Sequence, residues 1–379
     1  MAFDLTPDQR QIVETARAFA LEQLRPSAAQ WEVDGQFDAG TLRVMAAIGF
    51  AAITVKADVG GSELNRLDAV LVFEQLARGC VSTAAFMAIH NSAASLIDLY
   101  GSEQQRRHWL PAMTQMEKFG AYCVAEPGAG SDLGAITLTA EKSGRDYVLT
   151  GAKAFVAGGG FSDLYIVVAR TGESGPNGLS LFVIEKDTPG LSFGKNERKM
   201  GWKSQPMAQV IFDNCRVGAS QRLGVEGEGY LYAMDAFDAS RLHIAACALG
   251  GATEALERAT EYAREREQFG RALAEFQAIR FKIADMGTEL EAARLLVHDA
   301  ARRLDAKDPE ATKFCAMAKR FATDTAFDVA NAALQIHGGY GYLVDYEIER
   351  ILRDLRACQI VEGANEIMRI IIAREMLRR

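Results

Sequence analysis

Ile136-Thr137-Leu138-Thr139-Ala140, Ser143-Gly144-Arg145-Asp146 and Tyr147-Val148-Leu149-Thr150 follow one another in the chain, and the fold turns on how they are read. The outer two runs are rich in β-branched and aromatic residues and the middle one is a turn, which together predict a β-hairpin. Strand-like runs continue beyond it at Lys153 to Ala157, Leu164 to Ala169, Leu179 to Glu185 and Gln209 to Phe212. Glycines at 158–160, the segment from Gly172 to Gly178, and Pro189-Gly190 separate them. No long helical pattern intervenes, which favours an antiparallel barrel or sandwich over a parallel sheet.

Outward from this block the period changes to that of helices. Upstream, Thr6-Pro7-Asp8-Gln9 has a threonine cap, a first-turn proline and a glutamine three residues after the cap. Ile12, Val13, Ala16, Phe19, Ala20 and Leu24 follow at helical spacing until Pro26. Further helices are expected over Ala39 to Ile48, Leu67 to Ala77, Thr83 to Tyr100 and Glu103 to Met113. Downstream, long helices are expected over Tyr230 to Arg264, Leu273 to Leu304, Pro309 to His337, and Asn365 to the end, a set long enough for a bundle. The fold class is therefore mainly α with a β domain, with segments 1–118, 119–226 and 227–379.

Composition narrows the partners. The chain has 379 residues, 49% hydrophobic and 24% charged, the balance of a soluble multidomain enzyme. A net charge of −8 and no dense basic stripe argue against a nucleic-acid partner. Six scattered cysteines without a CxxC pair fit buried free thiols, and the five histidines show no i,i+4 pair suited to a metal. No apolar run is long enough to span a membrane, and the N-terminus lacks a signal-like segment, so a cytoplasmic protein, or a form lacking an organellar targeting segment, is expected.

Four stretches carry candidate chemistry. In Cys358-Gln359-Ile360-Val361-Glu362-Gly363-Ala364-Asn365-Glu366, a glutamate stands against apolar neighbours just before a helix. Such a carboxyl resists ionising and is suited to general-base work, although a glutamate opening a helix looks similar. Tyr122-Cys123-Val124-Ala125-Glu126-Pro127-Gly128-Ala129-Gly130-Ser131-Asp132 exposes backbone N–H groups able to bind a phosphate or a ring edge. It is no dinucleotide fingerprint, which needs a strand before it and a helix after it, whereas strands follow here. Gln335-Ile336-His337-Gly338-Gly339-Tyr340-Gly341-Tyr342 reads mainly as a helix cap and turn, with His337 as a capping or packing residue. The segment from Arg264 to Arg271 reads either as a solvated, salt-bridged link or as an arginine clamp for phosphate.

Taken together and in order, YCVAEPGAGSD (122–132), KAFVAGG (153–159), REREQFGR (264–271), QIHGGYGY (335–342) and VEGANEIMR (361–369) make the chain resemble the acyl-CoA dehydrogenase family over essentially its whole length. KAFVAGGGFSDLYIVVARTG, PGLSFGKNERKMGWKSQP and EGANEIMRI are most similar to its isobutyryl-CoA branch, which acts on short α-branched acyl groups.

The resemblance implies the acyl-CoA dehydrogenase fold: an N-terminal α-helical domain, a central antiparallel β-barrel or sandwich, and a C-terminal four-helix bundle, assembled as a dimer of dimers. It further implies one FAD per site, re-oxidised by an electron-transfer flavoprotein, with Glu362 as the base. One branch carries its base just before the arginine matching Arg241; Ser240 stands there, which excludes that alternative.

By position, Tyr122, Val124, Ala125, Gly130, Ser131, Phe155, Val156 and Ala157 would surround the flavin and its phosphates. Arg266, Gln268, Phe269, Phe276, Gln277, Gln335, Gly338 and Gly339 would reach the FAD of a neighbouring subunit. Ala364 and Glu366 would touch FAD near its pyrophosphate and adenosine. Ser131, Asp238, Arg241, Val361, Gly363 and Arg374 would hold the acyl-CoA. Three positions depart from the pattern: Ala125, Ala157 and Ala364 stand where the family has hydroxyl side chains, so altered flavin affinity or potential is expected. Two other readings stay open, an acyl-CoA oxidase on the same fold and a non-catalytic flavin-binding or assembly protein.

Overall fold

The structure, a computed structural model, describes residues 4–378. Helix α1 (Pro7–Phe19) opens with the expected capping box: the Gln9 N–H donates to Thr6 Oγ1, and the Thr6 N–H to Gln9 Oε1, each at 3.1 Å. It runs on as a π-helical turn over Ala20–Leu24, which stops before Pro26. Then come α2 (Ala28–Asp34), α3 (Ala39–Ala47), α4 (Arg66–Gly79), α5 (Val81–Tyr100) and α6 (Glu103–Thr114). The sequence reading lacks α2, which is two turns long and buries only Ala28 and Trp31, too little to establish a period.

The β block is one eight-stranded sheet of β1 (Gly120–Cys123), β2 (Thr139–Ser143), β3 (Asp146–Ala157), β4 (Leu164–Arg170), β5 (Leu179–Glu185), β6 (Leu191–Phe193), β7 (Met207–Gly218) and β8 (Arg222–Leu223); seven follow the order β6-β7-β3-β2-β4-β5-β8, and β1 joins off that path on β4. Most pairs are antiparallel, but β1 runs parallel to β4 from Gly120↔Leu164 to Cys123↔Val167, and Thr139↔Arg170 is a parallel contact. The hairpin is present, with Ser143 opposite Asp146 and a two-residue turn whose first residue, Gly144, has φ +67°. Its first strand starts at Thr139 rather than Ile136, because the Glu126 carboxylate takes the N–H groups of Thr137 and Leu138 before the ladder begins.

Strands β4 and β5 are buried on both faces. Tyr165, Val167, Phe182 and Ile184 point into the sheet's own core, while Leu164, Ile166, Leu181 and Val183 pack on Leu96, Ile97 and Trp109 of α5 and α6. That explains their near-continuous apolar runs.

The C-terminal segment consists of α7 (Gly229–Glu265), a small hairpin of β9 (Glu267–Gln268) and β10 (Arg271–Ala272), α8 (Gln277–Asp305), α9 (Ala311–His337), α10 (Ile348–Cys358) and α11 (Asn365–Leu377). The link read as a solvated turn is thus a hairpin, and α8 begins after a 3₁₀ turn at Leu273–Glu275 rather than at Leu273. Helix α10 is an addition to the four expected helices. Its buried Ile348, Ile351, Leu355 and Cys358 recur at helical spacing.

Helix α7 packs on α8, α9 and α10 and also on α4 and α5, so the first and third segments share one core. At the α7–α4 crossing a Cβ on Gly250 would meet the Glu74 carbonyl oxygen at 2.0 Å, so only glycine permits the approach.

Candidate active site

Glu362 lies in the turn between α10 and α11, at φ +54°, and Gly363 follows at φ +91°. A non-glycine residue in this region is strained by roughly 1–2 kcal/mol and persists only where its surroundings enforce it. Here they do. Lys319, wholly buried on α9, donates to the Gly363 carbonyl at 2.8 Å and to Asn365 Oδ1 at 2.9 Å. The Asn365 amide donates in turn to Thr323 Oγ1 at 2.9 Å and Asp324 Oδ1 at 2.7 Å. Burial pulls the Lys319 ammonium down to about 8, against the pull of Cys358 and Glu362.

Above this turn stands the buried face of α7. The Ser240 hydroxyl donates to Glu362 Oε2 at 2.6 Å. Arg241 donates through Nη1 to Asp238 Oδ1 at 2.7 Å, and Thr312 holds the other Asp238 oxygen at 2.6 Å. Burial pushes the Glu362 carboxyl above its ordinary range; the Ser240 hydrogen bond and the charges of Arg241 and Lys319 offset this only in part. Two buried donors beside it, Arg241 Nε and the Tyr122 hydroxyl, have no partner among the described residues. The Tyr122 ring lies 5.9 Å from Phe237, over which the Arg241 guanidinium sits at 5.7 Å. The Glu362 N–H also has no acceptor among the described residues.

The Tyr122–Asp132 loop leaves β1 and is anchored from below. A strand does therefore precede it, and a 3₁₀ turn at Leu133–Ala135 follows instead of a helix. Lys153, fully buried, donates to the Val124 carbonyl at 2.8 Å and to Glu126 Oε1 at 2.9 Å. Between Lys153 and Val156 strand β3 carries a bulge, and the freed Ala154 N–H reaches the Ala125 carbonyl at 2.9 Å. The bulge puts Phe155 at φ +56° with its ring 67% exposed, while Val156 and Ala157 turn inward. Gly130 and Ser131 are exposed at the loop's tip.

Elsewhere, Arg266, Gln268, Gly338 and Gly339 come together with Tyr262, His337 and Tyr340 around an open recess of about 440 Å³. Arg266 lies over the Tyr340 ring at 5.5 Å, and His337 stacks on Tyr262 at 4.5 Å with Nδ1 2.8 Å from the Ala333 carbonyl. Phe269 tips the hairpin at φ +55° and is 94% exposed, edge-on to Phe276. Gln277 and Gln335 are exposed nearby in sequence.

The sequence-derived candidates thus fall into three groups. Tyr122, Asp238, Arg241, Val361, Glu362, Gly363 and Ala364 gather at the α10–α11 turn; Val124 to Ser131 and Phe155 to Ala157 form the anchored loop and bulge; Arg266, Gln268, Gly338 and Gly339 line the recess, with Phe269 and Phe276 in ring contact at the neighbouring hairpin. Glu366 and Arg374 join none of them: both side chains are mostly exposed on α11, where Arg374 pairs with Glu375. Sequence reasoning missed Lys319, Asn365 and Thr312, and saw Ser240 only as the absence of a carboxylate. The available signal for Lys319 was a lysine on the apolar stripe formed by Cys315, Ala318 and Ala322.

Matches to known proteins run through all three segments. Residues 6–117, 121–215 and 227–377 match the N-terminal, middle and C-terminal domains of acyl-CoA dehydrogenase respectively. The mitochondrial isobutyryl-CoA dehydrogenase of Dictyostelium discoideum is 50% identical over 373 residues, 98% of this chain and 90% of that one. The structure of butyryl-CoA dehydrogenase from Megasphaera elsdenii is 36% identical with a TM-score of 0.96 over 100% of both chains. An FAD complex of PigA is 31% identical with a TM-score of 0.96 over 99% of each. With the fold, the glutamate turn and these matches all in agreement, the chain belongs to the acyl-CoA dehydrogenase family.

Proposed function

We propose that this protein is an FAD-dependent dehydrogenase that converts a short, α-branched acyl-CoA of the isobutyryl type to its 2-enoyl-CoA, with Glu362 removing the α-proton. The observation that carries the reading is the Glu362 turn itself. A carboxyl raised by burial and held in a strained turn stands beside three donors with no partner among the described residues: its own N–H, Tyr122 Oη and Arg241 Nε. Buried donors are rarely left unpaired unless something else comes to them. A thioester carbonyl received by such donors makes the neighbouring C–H more acidic, and a desolvated carboxylate is then strong enough to take the proton.

The chain also fits the cofactor. Gly128, Gly130 and Gly339 have ordinary φ values, yet a side chain on any of them would meet nothing within 4 Å. Neither backbone geometry nor internal packing calls for glycine there, so their smallness answers to a ligand or a second chain. Tyr122 to Ser131 and Phe155 to Ala157 would hold the flavin side of FAD, while Ala364 and Glu366 would lie towards its pyrophosphate and adenosine. Phe269, Phe276, Gln277, Gln335 and the recess residues Arg266, Gln268, Gly338 and Gly339 would face the FAD of a second copy, in a homotetramer. FAD, when bound, supplies the acceptor for the hydride that leaves the β-carbon. Asp238, Arg241, Ser131 and Arg374 would hold the acyl-CoA, an electron-transfer flavoprotein would accept the electrons, and valine breakdown is the matching pathway. Among the described residues no helix is long and apolar enough to cross a membrane.

Anaerobic titration of the purified protein with isobutyryl-CoA tests the reading. Wild type should bleach the flavin, and Glu362→Gln should keep the flavin while slowing bleaching by roughly 10²–10⁴-fold or more. Bleaching at the wild-type rate in that variant would sink the assignment.

A further inference from the structure

Ser240 has two acceptors within reach of one hydroxyl. Its oxygen lies 2.6 Å from Glu362 Oε2 and 3.3 Å from the carbonyl oxygen of Phe237, one turn back along α7. A hydroxyl donates one proton and can accept at the same time. While Glu362 is ionised, the short contact needs the serine proton. Once Glu362 carries a proton, its own O–H can donate to Ser240, whose hydroxyl is then free to turn to Phe237.

We propose that Ser240 is a positioning residue for the base, holding the Glu362 carboxyl in both protonation states by turning its hydroxyl proton between that carboxylate and the Phe237 carbonyl. The proposal rests on Glu362 being the base. No proton is handed on: the α-proton stays on Glu362, the electron pair of the broken β-C–H bond leaves with the hydride, and the serine keeps its own hydrogen.

The surroundings leave this task to Ser240. It is the one hydrogen-bond donor to the Glu362 carboxylate among the described residues. Arg241 from α7 and Lys319 from α9 act on Glu362 by charge, but Arg241 Nη1 is committed to Asp238, and Lys319 Nζ to Gly363 and Asn365. Tyr122 from β1 also faces the carboxyl, with no hydrogen bond to it. The network under the turn fixes the backbone of residues 362–363, whereas among the described residues the side chain beyond it is hydrogen-bonded to Ser240 alone. Losing that hold should lower the fraction of time the carboxylate spends in line with the C–H bond. The same hydrogen bond favours the ionised form and works against burial.

The test is an infrared titration of the protonated Glu362 carboxyl in the FAD-loaded protein, with Glu362→Gln as the blank, alongside the pH profile of flavin bleaching by isobutyryl-CoA. In Ser240→Ala the carboxyl should titrate about one pH unit higher or more, the size expected for a lost hydrogen bond to a charged group. The acid limb of the bleaching profile should move with it, and the plateau rate should fall about tenfold with little change in half-saturating substrate. Ser240→Thr, which keeps the hydroxyl, should restore both. An unshifted carboxyl in Ser240→Ala, or a threonine variant that behaves like alanine, overturns the role of Ser240 even with Glu362→Gln inactive. Full bleaching by Glu362→Gln overturns the base reading instead, and the positioning role with it.

Discussion

Gly363 and Gly339 are both turn glycines beside long helices, and their surroundings differ completely. Gly363 has φ +91°, a Cβ there would lie 2.7 Å from Met368 Cε, and its carbonyl is gripped by the buried Lys319. Gly339 has an ordinary φ, faces open space and sits in a recess open to solvent. The first region is finished within one chain: its strain is offset by hydrogen bonds the chain itself supplies. The second presents an arginine, exposed aromatic rings and two bare glycines with little to pack on. A site built to hold a carboxylate in place needs the first kind of structure, and a surface awaiting a large ligand or a second chain needs the second.

The largest effect is expected where the closed region is cut open. Lys319→Met keeps the apolar stem but strips the Gly363 carbonyl and Asn365 Oδ1 of their buried charged donor. Relief from burying the ammonium offsets part of that loss, leaving about 2–3 kcal/mol of destabilisation, read from the urea midpoint, and weaker flavin bleaching. An unchanged midpoint would mean that the turn is held by something else. Gly363→Ala comes next, at roughly 1–2 kcal/mol, since the cost lies in the positive φ while the Met368 methyl can move aside.

A gain is expected one residue further on. Ala364 is the N-cap of α11 and offers no side-chain acceptor to the first turn. Ala364→Ser should add about 1 kcal/mol of stability through that missing cap. In the proposed FAD site it should also supply a hydroxyl at one of the three alanine positions, so tighter retention of the flavin on dialysis is the second readout.

Glu362 ties the closed region to pH. Its carboxyl binds a proton more tightly in the folded protein than in the unfolded chain, because burial disfavours the charge. Below the ordinary glutamate range both states are protonated and nothing is lost. As pH rises through the interval up to the folded-state value, the unfolded chain ionises first and stability falls; above that value the loss is constant. Glu362→Gln has no such term, so its stability relative to wild type should improve between acid and neutral pH. A constant difference across that range would show that the carboxyl is not raised.

Much of the fold was legible because local chemistry and tertiary need agreed. Thr6, Pro7 and Gln9 announce α1, and the two apolar faces of β4 and β5 made them easy to read as strands. What escaped depended on partners far along the chain. Nothing near Ile136 says that Glu126 will take its neighbours' amides, and the short β1, Gly120 to Cys123, pairs with a strand more than 40 residues away. Helix α10 has a helical period in Ile348, Ile351 and Leu355, but its 11 residues between two glycine-bearing motifs give that period little length to establish itself. At the site, Glu362 was legible from its apolar neighbours and Gly363, whereas Lys319 and Ser240 acquire meaning only when α9 and α7 converge on the turn.

The smallest expected effect on stability is the sharpest test of the open region. Gly339→Ala adds a methyl where nothing lies within 4 Å and no positive φ must be preserved, so its urea midpoint should shift by less than about 0.5 kcal/mol, towards greater stability if at all. A ligand or neighbouring chain lying against that backbone would feel the methyl directly. Flavin retention or the assembly state of the variant, read by dialysis and by sedimentation, should therefore suffer while folding does not. Gly363→Ala should show the reverse pattern, losing stability and base position while still able to take up FAD. If instead Gly339→Ala holds flavin and assembles like wild type, the bare glycines of the recess face nothing, and the contrast between the two regions reduces to one of packing.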